Sequence, residues 1–237
     1  MKQGAAGART RTSPLDILPD IPIAPELPLY PGVSLAEVLL VTTAEEAATA
    51  RADLLAADVI GFDTESKPTF AKGEVSTGPH LIQLATENRV YLFQVAHLPD
   101  LDGLKAVLES REILKAGFGL GSDLAQLKAR LGIEPRKVLD LSRVLRGEKP
   151  SQSLGAKTAV ARYFGQRMQK SRKVTTSNWA NPRLSERQLL YAANDAQVAL
   201  RVYRAALLAD PALATRGTVQ PAYLKPTDTD GLPGSPS

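Results

Sequence analysis

Three short segments place acidic groups where they could hold a hard cation. The first is Gly61-Phe62-Asp63-Thr64-Glu65-Ser66. Val59 to Phe62 reads as a hydrophobic strand running into it, and alternation along a strand sends Asp63 and Glu65 to one face, about 7 Å apart. Two carboxylates so placed repel each other unless positive charge lies between them. Mg²⁺, which prefers carboxylate oxygens, meets that need. A D-x-E pair is also compatible with two exposed loop acids, so the pair alone does not decide. The second segment ends at Asp123, which follows Lys115-Ala-Gly-Phe-Gly-Leu-Gly-Ser and opens a helix after a strand. Its plainer role is to complement the helix dipole. The third is Tyr191-Ala-Ala-Asn-Asp195. Positions four apart on a helix share a face, so the phenol and the carboxylate point together. Ala192, Ala193 and Ala196 let that helix lie close to a sheet. The plainer reading is an amphipathic helix with one solvated aspartate.

Positive charge clusters as well. Arg162, Arg167, Lys170, Arg172 and Lys173 fall within twelve residues that contain no acid. Such a run is either a solvated face or a phosphate-binding one. Thr64, Lys170, Arg172 and Lys173 are the candidate nucleic-acid contacts. Trp179 reads as a core anchor rather than a stacking platform, while Phe70 and Phe118 are aromatic groups that could reach a base. Gly117-x-Gly119-x-Gly121 with Asp140 about 20 residues on imitates a dinucleotide-binding turn. Ser122 stands where the third glycine would be, which disfavours that reading and leaves Asp140 as a structural hydrogen-bonding acid.

The elements that must position these groups alternate. Strands are predicted over 37–42, 59–63, 81–86, 90–95, 113–118 and 137–141, with 81–86 and 90–95 forming an antiparallel hairpin. Helices are predicted from Thr43, which with Glu46 makes a capping box, to about Ala56, and over 101–110, 122–131 and 154–164. The last helix starts at Ser185, with Gln188 completing a second capping box and Leu184 and Leu189 a staple, and runs to about Ala209. This pattern indicates an α/β domain with a mixed sheet.

The ends differ in composition. Pro14, Pro19, Pro22, Pro25, Pro28 and Pro31 recur too often for a helix or a central strand. Residues 1–32 are therefore expected to form an extended or disordered arm, 33–216 the folded domain, and 217–237 a disordered tail. No run of about 18 apolar residues indicates a membrane span. Cysteine is absent, which excludes disulfides, thiolate metal sites and a cysteine nucleophile, and fits a cytoplasmic protein. A net charge of +4 leans weakly towards polyanions.

Taken together, the three acidic segments resemble the DEDDy branch of the DEDD 3′–5′ exonucleases, of Werner type and RNase D type. Asp63 with Glu65, Asp123, and Tyr191 with Asp195 match its motifs in order and spacing. Leu190 stands where the sister branch carries histidine. Leu81-Ile-Gln-Leu-Ala85, Val90-Tyr-Leu-Phe93, Ser177-Asn-Trp179 and the run from Leu184 to Ala196 extend the resemblance to about residues 36–209. It implies a ribonuclease H-like fold, a five-stranded mixed sheet with helices on both faces. It further implies two divalent ions, Mg²⁺ or Mn²⁺, held by Asp63, Glu65, Asp123 and Asp195, with Asp63 bridging them and Tyr191 orienting the attacking water. The expected function is release of nucleoside 5′-monophosphates from single-stranded 3′ ends of DNA or RNA. The alternative is a catalytically silent nucleic-acid-binding module on the same fold. Ser66 departs from the family, where an aromatic or other bulky residue is common. The helical nucleic-acid-binding domain of RNase D and a helicase are missing, so the chain reads as a stand-alone exonuclease domain. No protein partner is indicated.

Overall fold

The structure is a computed structural model that describes residues 26–71, 73–145 and 154–215. Most of the predicted arm, residues 1–25, and the predicted tail, 217–237, lie outside the described residues.

The strands are β1 (Val38–Val41), β2 (Val59–Glu65), β3 (Leu81–Ala85), β4 (Val90–Gln94), β5 (Leu114–Gly117) and β6 (Val138–Asp140). The helices are α1 (Ala44–Ala56), α2 (Asp102–Leu108), α3 (Gly121–Gln126), α4 (Leu141–Val144), α5 (Ala156–Phe164), α6 (Arg172–Thr175) and α7 (Glu186–Ala209). One mixed sheet runs β1-β4-β3-β2-β5-β6. β2 is central, antiparallel to β3 and parallel to β5. Its apolar start explains this place: Val59, Ile60 and Phe62 are all buried, as a strand covered on both faces requires.

The arrangement is the expected ribonuclease H-like one with one correction. The sheet has six strands rather than five. The periodic reading already places a strand at 37–42, and this β1 is a parallel edge against β4 beyond the five that the resemblance implies, from Val38 opposite Val90 to Val41 opposite Phe93. The four apolar residues of β1 and the fully buried Val41 account for the addition.

Helices cover both faces. Ile60 and Phe62 pack with Ala50, Leu54, Leu104, Leu108 and Leu124 of α1, α2 and α3. On the opposite face, Val59, Leu114 and Ala116 pack with Ala159 and Val160 of α5 and with Val198 and Val202 of α7. Both predicted capping boxes form. Glu46 N–H donates to Thr43 Oγ1 at 3.2 Å, and Thr43 N–H to Glu46 Oε2 at 3.0 Å. Ser185 N–H likewise donates to Gln188 Oε1 at 3.0 Å. Such caps contribute about 1 kcal/mol each.

Two details fall outside the periodic reading. The helix expected over 122–131 keeps α geometry only to Gln126; Leu127–Leu131 forms a wider π turn that ends at Gly132, φ 63°. The four-residue helices α4 and α6 have no counterpart in the periodic pattern of the sequence. Among the described residues no helix is long and apolar enough to cross a membrane.

Candidate active site

The three acidic segments converge at the C-terminal end of the central strand β2. Asp63 and Glu65 ride on the last half of β2, on the face covered by α7. Helix α7 lies unusually close there because β2 offers Gly61: a Cβ at that position would stand 1.9 Å from the Ala196 carbonyl oxygen. Ala192, Ala193 and Ala196, all fully buried, line the same contact. The small residues thus bring Asp195, 5% exposed, alongside the half-buried Asp63 and Glu65. Asp123 enters from the first turn of α3. Thr64 links the acids: its N–H donates to Asp63 Oδ1 at 2.9 Å and its hydroxyl to Asp123 Oδ1.

Crowding shows in the acidity of these groups. Burial, then the charges of Asp195, Asp123 and Glu65, push Asp63 well above the usual carboxylate range. Burial, with Asp195 and Asp123 adding to it, pushes Glu65 up to about 8. Burial also raises Asp123, against the opposing hydrogen bond from Thr64, and Asp195, against the opposing charge of Lys170. The Lys170 Nζ stands 2.7 Å from Asp195 Oδ1. One ammonium against four carboxylates leaves the site short of positive charge.

The tyrosine is also held from α6. Thr175 Oγ1 donates to the Tyr191 phenolic oxygen at 2.9 Å. Thr175 in turn is fixed by α6, which the Ser177-Asn-Trp179 element latches to α7. The Ser177 hydroxyl donates to Val174 O and accepts from Gln188 Nε2 at 3.1 Å. Trp179 is fully buried, donates to Thr175 O at 3.3 Å, and stacks at a tilt on Tyr191 with ring centroids 6.0 Å apart. It is the core anchor expected of it. Burial, then the Asp195 charge, pushes the Tyr191 phenol up to about 12.

The glycine turn before Asp123 belongs to this site and not to a dinucleotide. Gly119, φ 69°, donates its N–H at 2.9 Å to Asp140 Oδ1, which also accepts from Ser142 N and Oγ. Asp140 is therefore the structural acid that sets the turn. A Cβ at Gly117 would meet the Phe62 carbonyl oxygen at 2.4 Å, so this glycine serves packing.

The basic run divides by role. Arg162 Nη1 donates to Leu145 O, and Arg167 Nε to Leu27 O at 3.0 Å. Arg167 also pairs with the last part of the arm: its N–H donates to Pro28 O and its carbonyl accepts from Tyr30 N. Lys170 points into the acidic cluster, and only Arg172 and Lys173, on α6, are exposed. Phe70 is 82% exposed, while Phe118 packs against the core. Ser66, in place of a bulky residue, bonds Gln126 Oε1 at 2.9 Å. Thr175, Gln126 and Gly61 gave no sequence signal, since each acts through contacts between segments far apart in the chain.

Asp63, Asp195, Lys170, Gly119 and Arg143 line a cavity of about 590 Å³. Among the described residues no three acidic or histidine side chains stand as a ready-made ligand cage. Asp123 is turned to Thr64, and Asp195 to Lys170. The donor set nevertheless fits hard divalent cations: it is all carboxylate oxygen, and its weakened acidity reflects burial together with uncompensated negative charge.

Comparison with known proteins gives a consistent picture. A 3′–5′ exonuclease family model matches residues 38–207. The bifunctional 3′-5′ exonuclease/ATP-dependent helicase WRN of Mus musculus is 31% identical over 149 residues, 62% of this chain and 11% of that protein. The exonuclease mut-7 homolog of Homo sapiens is 29% identical over 189 residues, 65% of this chain and 20% of that protein. The chain spans between 11% and 51% of the length of the curated relatives it matches. Among solved structures, the Aedes aegypti Nibbler EXO domain superposes with a TM-score of 0.63 at 26% identity, covering 75% of this chain and 90% of that one. Escherichia coli RNase D, at 24% identity and a TM-score of 0.64 over 74% of this chain and 45% of that one, shares the fold.

Proposed function

The chain belongs to the 3′–5′ exonuclease family, and from that premise we propose that it hydrolyses single-stranded DNA or RNA from the 3′ end, one nucleoside 5′-monophosphate at a time. The observation that carries this reading is the convergence of four carboxylates and Tyr191, from three separate segments, in one cluster short of positive charge, two of whose acids, Asp63 and Asp195, line the cavity. Asp63, Glu65, Asp123 and Asp195 would hold two divalent ions, Mg²⁺ or Mn²⁺. Ions of this kind, when bound, acidify water and neutralise the attacking and leaving oxygens of a phosphodiester.

The chain's own residues supply the rest. With its acidity shifted to about 12, the Tyr191 phenol stays protonated at neutral pH and works as a hydrogen-bond donor, not a base. Because Thr175 donates to the phenolic oxygen, the phenolic proton is left for Asp195 or for the attacking water. Thr64 positions Asp63 and Asp123, and Asp140 sets the turn that delivers Asp123. Arg172 and Lys173 contact the strand backbone from α6. Water adds to phosphorus, the bond to the 3′-oxygen of the preceding nucleotide breaks, and that oxygen takes up a proton.

The test is incubation of the protein with 5′-labelled DNA and RNA of equal sequence, with Mg²⁺ and with Mn²⁺. A one-nucleotide ladder shortening from the 3′ end is expected. Asp63→Ala and Asp195→Ala should each abolish it with the circular dichroism unchanged. Strand binding without cleavage by the unaltered protein would instead establish a silent binding module.

A further inference from the structure

Lys170 serves the acids and not the solvent. Its side chain is 27% exposed, against 4% for that of Asp195, and the two charges are 2.7 Å apart. The two groups therefore form a close ion pair. The ammonium also lies 5.6 Å from the centre of the Tyr191 ring.

The backbone that carries Lys170 is anchored nearby. Arg167, three residues before it, is hydrogen-bonded on both sides to residues 28–30, and the Ser171 carbonyl directly after it accepts from Val174 and Thr175 N–H in the first turn of α6. The four-carbon stem is flexible by comparison and opens onto the cavity of about 590 Å³ shared with Asp63 and Asp195. An ammonium on a flexible stem, paired with a carboxylate at the wall of an open cavity, is able to leave that partner.

We infer that Lys170 is a displaceable counter-ion, which neutralises Asp195 in the metal-free protein and competes with a divalent ion for the same carboxylate. The inference rests on the metal-dependent reading proposed above. Its physical basis is that a single and a double positive charge about 4 Å apart repel strongly even at an effective dielectric near 20. The lysine therefore stabilises the empty site, where four acids would otherwise face one another, and weakens the binding of the ion that replaces it.

The experiment uses the full chain, titrated with Mn²⁺ by calorimetry and melted in EDTA. Lys170→Met should bind Mn²⁺ at least about tenfold more tightly than the unaltered protein, as removal of one nearby positive charge predicts. It should also melt at a lower temperature in EDTA. Lys170→Arg, which keeps the charge, should stay near the unaltered protein in both respects. If the methionine variant fails to fold, Lys170→Gln carries the same expectation, since it removes the charge and keeps a hydrogen-bond donor. A folded, uncharged variant with unchanged or weaker Mn²⁺ affinity overturns the inference. Asp195→Asn separates this failure from that of the metal reading. Metal binding that depends on Asp195 but ignores Lys170 overturns the counter-ion alone. No Mn²⁺ binding, or binding indifferent to Asp195, overturns both.

Discussion

Tyr191 and Asp195 are one helical turn apart and share a face, so the phenol can reach a water beside the carboxylate. Removing only the hydroxyl leaves the ring against Trp179 and all four acids in place. Tyr191→Phe should slow single-turnover cleavage on the order of 10²-fold, within the range of a positioned acid–base group. Mn²⁺ affinity, followed in parallel by calorimetry, should be unchanged. Full activity would remove the phenol from the mechanism. Thr175→Val tests the same geometry from outside: it deletes the donor that orients the phenol, and should lower turnover less than Tyr191→Phe does.

Among the elements, the contact of β2 with α7 decides where the acids meet. Gly61 faces the backbone of Ala196; Asp63 sits two residues after the glycine and Asp195 one residue before the alanine. Gly61→Ala forces the helix away from the strand. It should lower stability by about 1–3 kcal/mol, as overpacking does, measured as a shift in urea midpoint. It should also reduce cleavage at temperatures where the variant is still folded, because the carboxylates separate. Wild-type activity in a folded Gly61→Ala variant would show that the site tolerates looser spacing. Much of this was legible beforehand. Strands and helices announced themselves by alternation, by Ser185 and Thr43 caps, and by the alanines of α7. The acids were legible because motif spacing along single elements survives in sequence. Gly61 was not, since its reason is an atom 135 residues away, and neither was α6, which is too short for a period. From sequence Lys170 belongs to a basic run, because sequence shows charge density and not direction. Its side chain turns inward, to Asp195.

At the scale of the whole molecule, the acidic cluster should govern how stability responds to pH when no divalent ion is bound. Glu65 ionises near 4.5 in an unfolded chain and at about 8 in the folded one. Between those values the folded state holds more protons than the unfolded state, so stability falls as pH rises. The loss is absent below the lower value and complete above the upper one. Asp63, Asp123 and Asp195, all raised as well, act in the same direction, with Lys170 opposing them as the local positive charge. Two groups elsewhere work against the trend. Burial lowers His80, and burial lowers Lys115 to about 7, so each favours the folded state as pH rises through its own range. A single melting curve therefore mixes opposing contributions, and the informative quantity is a difference between variants. In EDTA, the melting temperature of the unaltered protein minus that of Glu65→Gln should become more negative from about pH 5 to about pH 8. His80 and Lys115 are common to both proteins and cancel. With Mn²⁺ present the sign should reverse, because ion binding needs the ionised carboxylates and gains as they lose protons. Parallel pH profiles for the two proteins in EDTA would mean that Glu65 is ionised in the folded state throughout, and that the crowding of the acids is relieved without a divalent ion.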